Sequence, residues 1–291
     1  MPNSNKVIEE SLDARILSLE KLFVADVLSY SGEIVDIVAD GFRTALESIV
    51  EKKNKIVVVL ETNGGYIEVA ERIVDTIRHH YKEVEFCVPG SAMSTGTVLV
   101  MSGDAIHMDY YSRLGPIDPQ IERPGGRGLI PALGYLIQYQ RLLSKAEDGI
   151  ITTAETAILM EKFDQGDLYH FEQARALSIT LLKEWLTTYK FGKWVETAER
   201  KIPVTEKMKR ERAEQIAGIL NETETWHSHS RAISMEVLKS KLKLQIDDFG
   251  NNPELSKAIR KYHALSSDYL IRRGRSFVIH TRNNYMPLME I

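Results

Sequence analysis

Five consecutive apolar residues, Ile56-Val57-Val58-Val59-Leu60, run straight into Glu61-Thr62-Asn63-Gly64-Gly65. A β-branched run without a polar interruption reads as a strand covered on both faces, the situation of a parallel sheet between helices. The flanking segments agree with that reading. Val38 to Lys53 carries Phe42, Ala45, Leu46, Ile49 and Val50 at helical spacing, and Ile67 to Tyr81 carries Ile67, Val69, Ala70, Ile73, Val74 and Ile77. Ala25 to Tyr30, Val84 to Val88 and Ala105 to Met108 read as further strands, with Ser94 to Ser102 as a helix between the last two. Such alternation predicts an α/β domain with crossover connections. Beyond Pro131 helices are expected over about 132–147, 152–163, 168–190, 204–221, 233–242 and 253–273, followed by a short strand near Phe277 to His280.

Composition narrows the function classes. With 291 residues, 43% hydrophobic and 27% charged, the chain is long enough for a sizeable core, and its short apolar runs predict no membrane span. The polar, acidic N-terminus predicts a cytoplasmic protein without a secretory leader. The lone Cys87 excludes an internal disulfide framework and reads as a core thiol. From Arg200 onward lie 17 of the 37 Lys and Arg residues but only 11 of the 41 Asp and Glu. That stretch is basic and the body acidic, yet its charges are mixed and no zinc-finger, RNP or helix-turn-helix signature accompanies them, which argues against nucleic-acid binding. The expected organisation is a catalytic core over residues 1–190 and a helical, basic extension over 191–291 packed on it.

Two glycine-bearing turns follow predicted strands, where ligands of α/β sheets collect. Gly64-Gly65 frees the backbone for conformations closed to other residues. Pro89-Gly90-Ser91-Ala92-Met93-Ser94-Thr95-Gly96-Thr97 opens a helix, so Ser94 is placed where helix N-terminal amides favour negative charge. Ser94 reads as a candidate nucleophile, with the Thr95 and Gly65 amides as oxyanion donors. The competing reading makes Ser91 or Ser94 a helix cap.

Read with Ser102-Gly103-Asp104, Leu114-Gly115-Pro116-Ile117-Asp118-Pro119-Gln120 and Pro131 to Lys145, these turns resemble the serine dehydrogenase proteinase family of the ClpP/crotonase superfamily, a relative of signal peptide peptidase A. The resemblance implies a spiral of βαβ units, with Ser94 attacking a peptide carbonyl and the Gly65 and Thr95 amides holding the oxyanion. Pro119 stands where the Clp protease branch has its histidine, so the Ser/His/Asp version fails there. The signal peptide peptidase branch uses a lysine from a later helix, and Lys145, 51 residues after Ser94, fits that separation. A helix burying Leu136, Ile137, Tyr139, Leu142 and Leu143 would desolvate its amine. Gly64, Gly115, Pro116, Ile117 and Asp118 border the substrate cleft in this resemblance, and an extended chain there offers backbone to a peptide.

The expected activity is therefore an ATP-independent serine peptidase with a Ser94/Lys145 dyad, using no organic cofactor or metal. Two alternatives stand beside it, a crotonase-type acyl-CoA hydratase or hydrolase and a catalytically silent oligomeric scaffold. His107, in a strand, and His229, after Trp226, are the histidines that remain candidates to assist. The expected partners are a peptide or unfolded protein and further copies of the chain. Assembly is expected because Leu177, Leu181, Leu182, Trp185 and Leu186 exceed what one sheet edge covers.

Overall fold

The computed structural model describes residues 4–117, 120–122, 129–197, 199–221 and 232–288. Strands β1 (Asp26–Ser31), β2 (Lys55–Glu61), β3 (Glu83–Cys87) and β5 (Ala105–Met108) lie side by side in parallel. Helices α2 (Asp36–Ser48), α3 (Ile67–His80) and α4 (Thr95–Met101) make the crossovers between them, so the fold winds through successive βαβ units as expected. Short β4 (Ser91–Ala92) precedes α4.

The parallel sheet extends at both edges with strands from late in the chain. β10 (Asp247–Asp248) adds in parallel to β5, while β11 (Phe277–Thr281) pairs antiparallel with β1 and β12 (Asn284–Leu288) with β11. The order is β10-β5-β3-β2-β1-β11-β12. A smaller sheet sets β4 beside β6 (Arg113–Leu114) and β9 (Ile233–Ser234), and β7 (Gln120–Glu122) pairs with β8 (Leu129–Pro131).

β2 explains why both faces must be covered. Ile56, Val58 and Leu60 join the cluster of α2 and α3, whereas Val57 and Val59 join the opposite one. That second face is roofed by α1 (Ser4–Phe23), through Leu12, Ile16 and Leu19, and by α10 (Pro253–Arg272), through Ile259 and Tyr262. Truncating one such fully buried side chain, Phe42 or Ile16, costs about 2–5 kcal/mol through lost burial and the cavity left behind. Neither α1 nor β12 was expected from the sequence. Between the two lie buried charges: the Arg282 guanidinium donates to Glu20 Oε1 at 2.9 Å and to Asp26 Oδ1 at 2.7 Å.

α7 (Gln165–Trp185) runs on as a π-turn, Leu186–Lys190, and packs with α8 (Glu206–Asn221) onto the core. This corrects the argument for assembly. Leu181, Leu182, Trp185 and Leu186 are buried within the single chain, and Leu177 packs against the same cluster. By contrast α5 (Ala132–Glu147) and α6 (Thr153–Lys162) are lightly attached. No residue of α6 is buried, and α5 meets the body where Tyr135 and Leu136 pack on Phe171. α9 (Met235–Ser240) completes the helices described. Among the described residues no helix is long and apolar enough to cross a membrane.

Candidate active site

The loop after β2 and the loop before α4 are laced into one structure. Thr62 bridges to Ala92, and Met93 N–H donates to the Thr62 carbonyl at 2.9 Å. Thr95 Oγ1 donates to the Gly65 carbonyl at 2.7 Å. Gly65 bridges to Ile34, so close that a Cβ on Gly65 would lie 2.1 Å from the Ile34 carbonyl oxygen. Glycine is required there by contact and by its φ of +148°.

Ser94 is the conformational outlier of the site. It is 1% exposed and sits at φ 52°, ψ −121°, at the N-cap of α4, a backbone state costly for a residue with a Cβ. Its hydroxyl makes no capping hydrogen bond. The capping reading therefore fails for Ser94, and it fails for Ser91 too, whose Oγ donates to Glu61 Oε1 at 3.0 Å. Strain of this kind, on a strand-to-helix turn, is how a serine is pushed forward from the backbone. A Cβ on Gly64 would lie 2.9 Å from Ser94 Cβ and 3.3 Å from its Oγ, so the absence of a side chain at residue 64 leaves the space beside the hydroxyl.

Among the described residues, the amides around Ser94 divide into those with a backbone or side-chain acceptor and those without one. Gly64 N–H donates to Thr62 Oγ1, Tyr66 N–H to Ile34, Gly96 N–H to Met93 and Thr97 N–H to Ser94. The N–H groups of Gly65 and Thr95 take no part in these bonds. Gly115 closes the far side: a Cβ on it would stand 3.1 Å from Ser94 N, and its N–H donates to Thr97 Oγ1 at 2.9 Å. Pro116 and Ile117 follow it into the interior, with Ile117 N–H donating to the Leu220 carbonyl at 3.1 Å. The chain at 114–117 is thus tied inward, and Leu114 already pairs on both sides, with β4 and β9.

Ser94, Gly64, Gly65, Thr95 and Gly115 are therefore gathered in one place. Lys145 stands near the end of α5, its ammonium in an ion pair with Glu155 of α6. That pair, joined by the Thr152 amide and hydroxyl, pulls the Glu155 carboxyl down to about 2. Lys145 is a third exposed rather than enclosed by the apolar residues of its helix. His107 is engaged by Glu85 at 2.8 Å in the middle of the sheet. Asp118, Trp226 and His229 lie outside the described residues.

Sequence reasoning missed α10's part in the site. Arg260 donates to the Pro89 carbonyl at 2.7 Å and pairs with Asp109, and one turn later His263 Nε2 reaches to 3.2 Å from Glu61 Oε2. Arg and His three apart on one helix face were the available signal. Beside the glycine turn a hollow of about 360 Å³ opens at the carboxyl ends of β1 and β2, walled by Ser31, Glu33, Glu61, Thr62 and Asn63.

Residues 42–156 match the family model of the ClpP-like SDH-type serine proteinases. The match agrees with the resemblance read from the two turns, and its segment holds Ser94, both glycines and Lys145. Two uncharacterized proteins of Methanocaldococcus jannaschii are similar to the chain. One is 30% identical over 155 residues, covering 51% of this chain and 52% of the relative, and the other 32% identical over 103 residues, covering 35% and 31%. The chain thus spans about half of one relative and a third of the other. Among solved structures it is similar to ClpP1 from Listeria monocytogenes, at 14% identity with a TM-score of 0.39 over 79% of this chain and 94% of that one. It is also similar to the ClpP protease catalytic domain from Plasmodium falciparum, at 17% identity with a TM-score of 0.29 over 35% and 57%.

Proposed function

We propose that the chain is a serine peptidase in which Ser94 is the nucleophile. The observation that carries this reading is the buried, positive-φ Ser94 that declines to cap its helix and faces a glycine instead of a side chain. Its Oγ attacks the peptide carbonyl, and the Gly65 and Thr95 amides take up the charge that develops on oxygen. Lys145 accepts the serine proton and returns it to the leaving amine. To do so its amine must leave Glu155, so the proposed cycle includes opening of that ion pair as α5 swings toward the site. Gly115, on which a Cβ would stand 3.1 Å from Ser94 N, borders the cleft. The fitting substrates are short or unfolded peptides, handled by a homo-oligomer in the cytoplasm.

The test is a fluorophosphonate probe applied to the full chain. Labelling present in the wild type, kept in Ser91→Ala and absent in Ser94→Ala supports the assignment. A wild type that takes no label, or a Lys145→Ala variant with near wild-type peptide turnover, overturns the nucleophile or the base respectively.

A further inference from the structure

The largest cavity described, about 1080 Å³, lies away from Ser94. Asp104 and Ala105, on its wall, open β5, whereas the Gly64 and Ser94 turns follow the closing ends of β2 and β3, so the cavity occupies the opposite end of the strands. One side is apolar, built from Phe191, Trp194, Ile202 and Met208, with the first two rings 5.7 Å apart. Lys190 sits at the other side, as the last residue of the π-turn that ends α7. Departures from α-helical register of this kind concentrate at functional sites.

The surroundings of the Lys190 amine are unusual. Asp247, Asp104 and Glu85 are the carboxylates that face it. Two of these are held elsewhere: Asp104 by Arg78 at 2.8 Å, and Glu85 by His107 at 2.8 Å and Lys55 at 3.3 Å. Among the described residues no hydrogen bond or ion pair reaches the Lys190 amine, and the Asp247 carboxylate has no ion pair either. The cations on the walls include Lys193, which is held by Glu83 at 3.1 Å, with Arg212 and Lys243 further round. Burial outweighs the three carboxylates and pulls the Lys190 amine down to about 8, so that about a quarter of it is neutral at pH 7.5.

We propose that Lys190 is the nucleophile of a second ligand site, one that captures an aldehyde with an aromatic or aliphatic body as an imine. The body packs on Phe191, Trp194, Ile202 and Met208, and the carbonyl carbon meets Nζ. The Nζ lone pair forms the new C–N bond as the C=O π pair moves onto oxygen, and one N–H proton passes from nitrogen to that oxygen to give the carbinolamine. A proton from solvent lets the hydroxyl depart as water while the nitrogen lone pair forms C=N, and the remaining N–H proton returns to solvent or to Asp247. No electrons are gained or lost, and the aldehyde is the only co-reactant. The site is independent of the peptidase reading.

The experiment treats the full chain with benzaldehyde and sodium cyanoborohydride at pH 7.5, and maps the reduced adducts by peptide mass spectrometry. Lys190 is expected to saturate with benzaldehyde and to react at least about tenfold faster than Lys193, with a pH midpoint near 8. Lys190→Arg keeps the charge and abolishes the fast adduct, Trp194→Ala slows it, and Ser94→Ala leaves it unchanged. Formaldehyde, lacking the apolar body, should show a smaller preference, because only the larger neutral fraction of the Lys190 amine then favours it. Adducts spread evenly over the lysines, or equal preference with formaldehyde, would overturn the proposal.

Discussion

The frame that holds Ser94 and the arm that holds Lys145 are built on opposite terms. Around Ser94 every neighbour is fixed by a backbone contact: Gly65 against Ile34, Met93 on Thr62, Gly115 on Thr97. The α5–α6 arm touches the body through a small aromatic patch, Tyr135 between Phe163 and Phe171, and exposes Ile137, Ile150, Ile158 and Met160. A strained nucleophile needs surroundings that over-determine it. A base that arrives from an arm needs the reverse, since weak attachment is what lets it move.

The largest expected effects fall on chemistry and cross both regions. Ser94→Ala and Lys145→Ala should each reduce peptide turnover by about 10³-fold or more, and the double variant no further, because residues acting as one unit lose activity non-additively. Circular dichroism and urea unfolding should find both variants folded. If the losses multiply, the two residues contribute independently and do not form a dyad.

A matched pair of glycines measures the contrast in stability. Gly65→Ala forces a methyl into the Ile34 backbone at a φ of +148° and should cost roughly 3 kcal/mol or more. Gly134→Ala, in α5, meets nothing within 4 Å and should stabilise by about 0.5–1 kcal/mol. Urea midpoints decide it, and a costly Gly134→Ala would mean that the arm is packed as tightly as the frame.

Acid should act on the frame before the arm. His280 is fully buried between Tyr262 and Asp13, at 2.9 Å from each. Burial lowers its tendency to protonate, and the hydrogen bond to Asp13 only partly restores it. The unfolded chain therefore binds a proton that the folded one refuses. Stability from this source is complete above about pH 6.5 and declines as pH falls toward the lower folded value, by at most about 1.4 kcal/mol per pH unit for one proton. Urea midpoints at pH 7.5 and 5.5 should differ in the wild type and differ less in His280→Gln.

How much was legible follows the same division. The frame is local in sequence: a β-branched run, paired glycines and helical spacings place β1, β2, β3, β5, α3, α4 and the serine turn within a residue or two, while α2 ends five residues earlier than expected and short β4 went unread. α1 left a readable trace in Leu12, Ile16, Leu19 and Phe23, spaced as a helix face, but its polar composition hid it. Arg260 and His263 left a trace in their three-residue spacing, but the groups they reach, Pro89, Asp109 and Glu61, lie far away in the chain, which that spacing does not encode. Lys145 illustrates the limit from the other side: its helix was read to the residue, yet its partner Glu155 depends on how α6 folds back.

The smallest expected effect isolates the arm. Glu155→Gln removes the ion pair that holds Lys145 and leaves the Ser94 frame untouched. Exposed pairs contribute little to folding, so thermal unfolding should barely change. Turnover responds differently if pair opening precedes proton transfer. Freed from Glu155, the amine spends more of its time available to Ser94, and peptide hydrolysis should rise severalfold at most. The rise should vanish in Glu155→Gln combined with Lys145→Ala. Glu155→Asp should fall between the wild type and Glu155→Gln, because the shorter carboxylate can keep the charge while loosening the contact. An unchanged rate in Glu155→Gln, measured beside a dead Lys145→Ala, would keep the lysine as base but remove the opening step, and the arm would then be positioned by something other than this pair.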